Sequence, residues 1–166
     1  MKIKFDKLDI GCGNKKPDGY IGIDTSYFEY PEGEFIQADI NCPLPFKDNS
    51  FVEIKASQTI EHIDNNKKVE FMVEIYRLLK VGGIFIAEFP PPICKDGLPN
   101  PGFFTDPTHT AWWMYGTFFC FDRGWRDKDV NKEVYENGYH INIDFKIVNR
   151  GWINNFNYHI EMMKGK

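Results

Sequence analysis

The sequence predicts an α/β fold with a mainly parallel sheet, made of five parallel strands and a C-terminal antiparallel hairpin, and with a reduced helix layer on one face. Three observations support this fold class. Short apolar runs alternate with turn residues between positions 8 and 89, one amphipathic helix pattern lies among them, and two strand patterns follow near the C-terminus. The 166 residues suit one domain spanning 1–166.

Each predicted strand is a short apolar run that ends at a glycine, an aspartate or a proline. The parallel strands are predicted at 8–11, 20–24, 35–39, 51–57 and 84–89. Near the C-terminus, residues 141–149 and 156–162 have strand patterns, and residues 151–155 between them favour an antiparallel hairpin.

One helix is predicted at residues 65–80, between the fourth and fifth strands. Its apolar side chains recur at helical spacing and form one stripe: Val69, Met72, Val73, Tyr76 and Leu79. Asp64 or Asn65 is suited to cap the start of this helix, and Gly82 with Gly83 is predicted to end it.

Glycines and acidic residues follow the first three strands. Gly11 and Gly13 come directly after the first strand, where glycine lets the backbone approach a ligand closely. Asp24 ends the second predicted strand and Asp39 the third, positions from which carboxylates can bind the ribose and the adenine amino group of a nucleotide. An isolated aspartate at such a position is more often a turn or cap residue. Three of them at successive strand ends, Asp9, Asp24 and Asp39, favour a ligand site.

This pattern resembles the Rossmann-like (class I) S-adenosylmethionine-dependent methyltransferases. The similar segments, in the order of the family, are 8–13 (LDIGCG), 21–24 (IGID), 38–40 (ADI), 44–51 (LPFKDNSF), 57–63 (SQTIEHI) and 74–83 (EIYRLLKVGG). The resemblance implies S-adenosylmethionine as the cofactor, and a cofactor site made of Asp9, Gly11, Cys12, Gly13, Asp24, Thr25, Asp39, Ile40, Ser57 and Gln58. It implies methyl transfer to a small-molecule or protein acceptor.

The chain departs from the family in its helices. It resembles a compact form of the family that lacks the usual N-terminal helices. Only residues 14–19 separate Gly13 from the second strand, enough for about one helical turn, and residues 25–34 have little helical pattern. Charged and polar residues also alternate through the strands: Lys7, Asp9, Gln37, Glu53 and Lys55. We therefore expect one sheet face to lack the usual layer of three helices. This face would meet water, be partly covered by residues 112–125, or be buried in a homodimer.

Two histidines are candidate catalytic residues. His62 follows the fourth strand, where it can orient an acceptor or remove its proton, although Glu61 and His62 can instead cap the following helix. His109 lies on the long loop after the fifth strand, where it can reach the substrate or stay in solvent. His140 and His159 are interpreted as structural.

The aromatic segment 112–121 predicts a buried helix that covers the core, with an acceptor-pocket wall as a second interpretation.

Composition excludes several classes of protein. A formal net charge of −4 does not favour a duplex DNA-binding protein, and no apolar stretch is long enough to span a membrane. The four cysteines lack zinc-finger spacing, so no metal ligand is assigned and a cytoplasmic protein is expected. Ser57-Gln58-Thr59-Ile60 also differs from the motifs of adenine-N6 and cytosine-C5 methyltransferases.

Two alternatives to an active methyltransferase remain. A non-catalytic module that binds S-adenosylmethionine or S-adenosylhomocysteine, and acts through a partner, would have the same motifs. A nicotinamide-dependent oxidoreductase is disfavoured because Lys16 occupies the place of the third glycine in Gly-x-Gly-x-x-Gly.

Overall fold

A computed structural model describes residues 5–128 and 142–166. Its seven strands are β1 (Lys7–Ile10), β2 (Ile21–Asp24), β3 (Phe35–Gln37), β4 (Phe51–Ser57), β5 (Leu79–Phe89), β6 (Phe145–Trp152) and β7 (Tyr158–Lys164). They form one sheet in the order β3-β2-β1-β4-β5-β7-β6. Strands β1 to β5 are parallel, and β7 is antiparallel to both β5 and β6. The predicted fold class is confirmed.

The described helices are few and mostly short. They are α1 (Lys68–Leu78), α2 (Pro101–Phe104) and α3 (Arg123–Arg126), with 3-10 helices at Ile60–His62, Asn65–Lys67 and Tyr115–Phe121. None of the helices within residues 5–128 and 142–166 has the length and apolar character needed to cross a bilayer.

The predicted helix exists, but its C-terminal end was placed wrongly. Asp64 caps its start by accepting a hydrogen bond from the Asn66 amide. The α-helix ends at Leu78, because Leu79 is extended and pairs with β4 as the first residue of β5. Gly82 and Gly83 therefore lie within β5 and do not end the helix.

Strand boundaries near the site and at the C-terminus also differ from the sequence prediction. β3 ends at Gln37, so Asp39 lies beyond the strand. In the hairpin, the link between β6 and β7 runs over residues 153–157, two positions later than predicted. His140 and the start of the strand predicted at 141–149 lie outside the described residues.

The hydrophobic core lies on one face of the sheet. Alternate residues of the central strands point into it, among them Leu8, Ile54 and Phe85, all fully buried. The α1 residues Met72 and Ile75 cover these strands and are also fully buried. This single helix therefore supplies much of the apolar cover of the central sheet.

The opposite face, here called the polar face, carries the charged residues that alternate in the sequence. Strand register places Lys7 beside Glu53 and Asp9 beside Lys55. In the described residues no helix covers this face, as expected from the short connections after β1 and β2. Those connections fold over its edge, where Lys16 forms an ion pair with Glu34.

The aromatic segment covers the core, but it is helical only in part. Tyr115–Phe121 forms a 3-10 helix, while residues 112–114 before it are not helical. Trp113 is fully buried, stacks on Phe118 and donates its indole N–H to the Ile60 carbonyl at 2.7 Å. The segment therefore packs on the core face rather than crossing to the polar face.

Candidate active site

A cavity of about 320 Å³ opens at the carboxyl ends of the central parallel strands. Ligands of open α/β sheets bind at this end, and the volume lies at the lower limit of small-molecule sites. The residues lining the cavity come from five separate parts of the chain: Gly11, Asp24, Thr25, Asp39, Ile40, Asn41, Gln58, Thr59 and His62. Six residues of the predicted cofactor set and one candidate catalytic histidine are therefore brought together.

Gly11 forms the floor of the cavity because no side chain fits there. Its backbone has a φ of +66°, and a Cβ atom at this position would lie 2.3 Å from the Thr59 hydroxyl oxygen. Thr59 is held in place by hydrogen bonds from its hydroxyl to the Ile10 and Ser57 carbonyl oxygens. Glycine is required here for both its backbone conformation and its missing side chain.

The two acidic residues at the cavity are oriented by backbone amides. Asp24 accepts hydrogen bonds from the amides of Gly13 at 3.1 Å and Ser26 at 2.9 Å, one on each oxygen. Asp39 accepts from the backbone and side-chain nitrogens of Asn41 at 2.8 and 3.0 Å. Each carboxylate retains acceptor capacity for the hydroxyl or amino group of a ligand.

Gln58, directly after β4, adopts a backbone conformation that is unusual for a residue with a side chain. Its φ of 52° is in the left-handed region, while its amide donates to the Glu88 carbonyl at 2.8 Å. Such strain persists only where the surroundings impose it, and it is frequent at ligand sites. The side chain lines the cavity and donates to Asn157 Oδ1.

Four predicted cofactor residues do not line this cavity. Asp9 projects onto the polar face, where burial raises its pKa to about 6 against the opposing effect of Lys55 and Lys16. Burial, together with the charges of Asp9 and Asp24, raises the pKa of Cys12 to about 12, so its thiol is not a nucleophile at neutral pH.

The other two predicted residues lie at the edge of the cavity. Gly13 contributes its amide to Asp24 from outside the lining. The Ser57 hydroxyl is directed to Glu88 Oε2 at 3.3 Å, away from the cavity.

The two candidate catalytic histidines are in contact, although they are far apart in the sequence. His62 also contacts Thr108, which precedes His109 on the same loop and lies 46 positions after His62. Their ring centroids lie 4.7 Å apart in an edge-to-face arrangement. The loop that carries His109 is fixed to the His62 segment by two hydrogen bonds, from the Ala111 amide to the Glu61 carbonyl and from the Thr110 hydroxyl to the Ile63 carbonyl. His62 forms one end of the cavity wall, and His109 packs behind it.

Glu61 is the functional candidate that the sequence interpretation missed. The helix cap is Asp64, one of the two predicted caps, so the alternative in which Glu61 and His62 cap the helix is wrong. The Glu61 side chain is instead buried, with 1% of the residue exposed. Burial raises the pKa of Glu61 to about 7, an effect that the nearby backbone amides of Glu61 and Thr59 partly offset.

Exposed aromatic side chains flank the histidine pair. Phe104 and Trp112 are 53% and 58% exposed, and both contact the buried Phe103 ring. Phe103 in turn packs against His109 with ring centroids 5.5 Å apart. The second interpretation of the aromatic segment, a wall beside the acceptor, is therefore compatible with Trp112, while Trp113 belongs to the core.

Comparison with known proteins shows which family this chain is similar to. A family model described as a methyltransferase domain matches residues 8–87. No curated protein sequence matches the chain significantly.

Solved structures share the fold at low sequence identity. A methyltransferase dependent on S-adenosylmethionine from Archaeoglobus fulgidus is 18% identical, with a TM-score of 0.62 over 95% of this chain and 85% of that one. One from Mesorhizobium loti is 11% identical, with a TM-score of 0.62 over 98% and 92%. A putative methyltransferase in complex with the Trm112 activator, from Haloferax volcanii, is 13% identical, with a TM-score of 0.65 over 100% and 86%. The methyltransferase-domain match and the shared fold show that the chain is similar to the class I methyltransferases, and they indicate S-adenosylmethionine as its cofactor.

Proposed function

We propose that the protein transfers the methyl group of S-adenosylmethionine to a small-molecule or protein acceptor that enters beside His62. The observation that carries this proposal is the single cavity that contains Gly11, Asp24, Asp39 and Gln58. S-adenosylmethionine supplies an activated methyl carbon when bound. The protein must therefore bind this cofactor, hold the acceptor in line with the methyl group and exclude water.

Each part of the cavity suits one part of the cofactor. Asp24 would accept hydrogen bonds from the ribose hydroxyls, because its carboxylate is already oriented by two amides. Asp39 and Ile40 would hold the adenine, one through its amino group and the other by apolar contact. Gly11 and Gln58 would lie along the methionine part, because both line the cavity directly after the first and fourth strands.

The acceptor would enter at the His62 end of the cavity. His62 and His109 lie there together, and the exposed rings of Phe104 and Trp112 flank them. Flat aromatic surfaces bind planar or apolar groups, while an imidazole orients a polar acceptor or removes its proton. The negative net charge supports a small molecule or protein side chain rather than duplex nucleic acid.

A second candidate function is a non-catalytic module that binds the same cofactor or its demethylated product and acts through a partner. The uncovered polar face favours this alternative, because a sheet face without helices is available for a partner. The similar protein from Haloferax volcanii is itself in complex with an activator. A homodimer through the polar face, one domain over the whole chain and a cytoplasmic location remain predictions of the sequence.

Calorimetric titration with S-adenosylmethionine tests the proposed site. Asp24→Asn should weaken binding by about 1.5–3 kcal/mol, or roughly 10- to 150-fold, as expected for hydrogen bonds to a charged group. Asp18→Asn makes the same chemical change at an exposed residue of the neighbouring connection and should leave the affinity unchanged.

Equal affinity of a folded Asp24→Asn variant would refute the ribose assignment, and binding of NAD in place of S-adenosylmethionine would refute the family function. A methyl-transfer screen then separates the two candidates: turnover supports the enzyme, and tight binding without transfer to any acceptor supports the module.

A further inference from the structure

We infer that Glu61, His62 and His109 form a binding site for one divalent first-row transition metal ion beside the cofactor cavity. The ligand atoms of these three side chains lie within 4.8 Å of one another, which is close enough to surround a single ion. His62 also lines the cavity. This inference adds to the proposed function, because methyl transfer itself requires no metal.

The buried Glu61 carboxylate is the first argument for a cation. Within the described residues, neither of its oxygens has a hydrogen-bond partner of good geometry, although the backbone amides of Glu61 and Thr59 lie nearby and both oxygens are inaccessible to solvent. A buried ionised carboxylate costs several kcal/mol unless a cation or donor accompanies it, so the group either holds a proton or binds a cation. No lysine or arginine pairs with Glu61 in the parts of the chain that the structure describes. A bound metal ion would satisfy this carboxylate.

The hydrogen bonds of the two histidines leave the same ring nitrogen available on each. His109 Nδ1 lies 3.1 Å from the Phe103 carbonyl oxygen, which only accepts, so Nδ1 is the protonated nitrogen. The Thr108 hydroxyl donates to Asp106 Oδ1 at 2.6 Å and therefore accepts from His62 Nδ1 at 2.9 Å. Both Nε2 atoms thus carry a lone pair. Metal-binding histidines in proteins are typically oriented by such hydrogen bonds through the second ring nitrogen.

A competing partner for His109 is too far away to form a hydrogen bond. Asp106 Oδ2 lies 3.6 Å from His109 Nε2, at a distance compatible only with an ion pair to a protonated ring. Two hydrogen bonds from Thr108 to Oδ1 hold the Asp106 carboxylate in place without the histidine, while Oδ2 faces the His109 ring. Its negative charge at this distance would further favour a cation between the imidazoles.

The donor set defines the class of ion. Two imidazoles and one carboxylate suit zinc, iron, cobalt and nickel, whereas magnesium and calcium prefer oxygen ligands. Three protein ligands leave at least one coordination position open. The exposed side of His62 borders the cavity, so this position opens toward the site of the acceptor.

The open position also suggests an acceptor class, a step that rests on the proposed function. A divalent ion binds and polarises oxygen ligands, so a hydroxyl or other oxygen group on the acceptor would complete the coordination. His62 would then position the acceptor through the ion rather than remove its proton. The metal site itself does not depend on this step and can be tested without cofactor or acceptor.

The test is a titration of metal-stripped full-length protein with Co²⁺ and Zn²⁺, followed by calorimetry and by the visible absorption of Co²⁺. We expect one ion per chain. Glu61→Gln, which preserves the shape of the side chain, and His109→Gln should each weaken binding at least tenfold, or roughly 1.4 kcal/mol or more. His159→Gln is the matched control, because His159 also lies between carboxylates, Glu88 and Glu161, but on the polar face. It should not change the affinity.

Three results would overturn the inference: no stoichiometric binding by the unmodified protein, equal binding by Glu61→Gln and His109→Gln, or loss of binding in His159→Gln. Circular dichroism of each variant shows whether a loss is due to unfolding. Thr108→Val, which removes the hydroxyl shared by His62 and Asp106, should weaken binding without removing a ligand. In the Co²⁺ form, acetohydroxamate should alter the absorption spectrum if a position is open, and an unchanged spectrum would refute the acceptor class. A separate titration with S-adenosylmethionine keeps failure of the metal site distinct from failure of the proposed function.

Discussion

Replacing Asp9 with asparagine should stabilise the protein, and more so as the pH rises. Asp9 is 6% exposed, and burial raises its pKa from 3.8 to about 6. Because the folded protein disfavours the ionised form, Asp9 costs no stability well below pH 3.8, and its cost grows until the pH passes 6. A difference of about 2 pH units corresponds to about 3 kcal/mol when both states are ionised. The cost should be about 1 kcal/mol at pH 4.5 and about 3 kcal/mol at pH 7.5.

Chemical denaturation of both proteins between about pH 4.5 and 7.5 measures this effect. The free energy of unfolding of Asp9→Asn, minus that of the unmodified protein, should grow by about 2 kcal/mol over this range. Any constant difference reflects the packing of the asparagine amide and is not part of the prediction. Asp18→Asn, at an exposed site, should show no such growth. A difference that stays flat with pH for Asp9→Asn would refute the argument that burial controls this carboxyl group.

Two further substitutions test the packing that supports the site. Gly11→Ala should destabilise by more than the roughly 1–2 kcal/mol of a left-handed alanine, since its Cβ would also overlap Thr59. Gly13→Ala has a similar φ of +53° without any atom within 4 Å, and denaturation showing equal costs for the two would contradict the clash. Lys164→Met should cost about 1–3 kcal/mol, because the buried ammonium donates to three oxygens, two of them carbonyls at the end of α1. The same change at exposed Lys146 should have little effect, and a comparable loss of melting temperature there would show that the buried hydrogen bonds are not the cause.

The sequence predicted the sheet and its uncovered face from local pattern alone. Side-chain alternation in β1 and β4 was sufficient, because strand geometry places Lys7, Asp9, Glu53 and Lys55 on one side whatever the tertiary structure. The end of α1 was less predictable. Leu79 continues the helical stripe in the sequence, but pairing with Phe51 of β4 draws it into a strand. Tertiary pairing thus prevailed over local periodicity.

The candidate site was predictable where its residues follow strands and not where they depend on loop packing. Asp24 ends β2 and Asp39 follows β3, so topology alone brings them to one edge. Glu61 and His109 are far apart in the chain, and hydrogen bonds of the loop around Ala111 bring them together. The only signal in the sequence was an acidic residue beside His62 that was not needed as a helix cap.

The uncovered polar face also affects how the protein responds to temperature. A sheet with helices on one side forms two layers, and it buries less apolar surface per residue than a three-layer sandwich of the same length. The heat capacity change of unfolding increases with the apolar area that becomes exposed. The free energy of unfolding should therefore curve gently with temperature, so the protein retains a larger share of its maximal stability on cooling than a relative with helices on both faces.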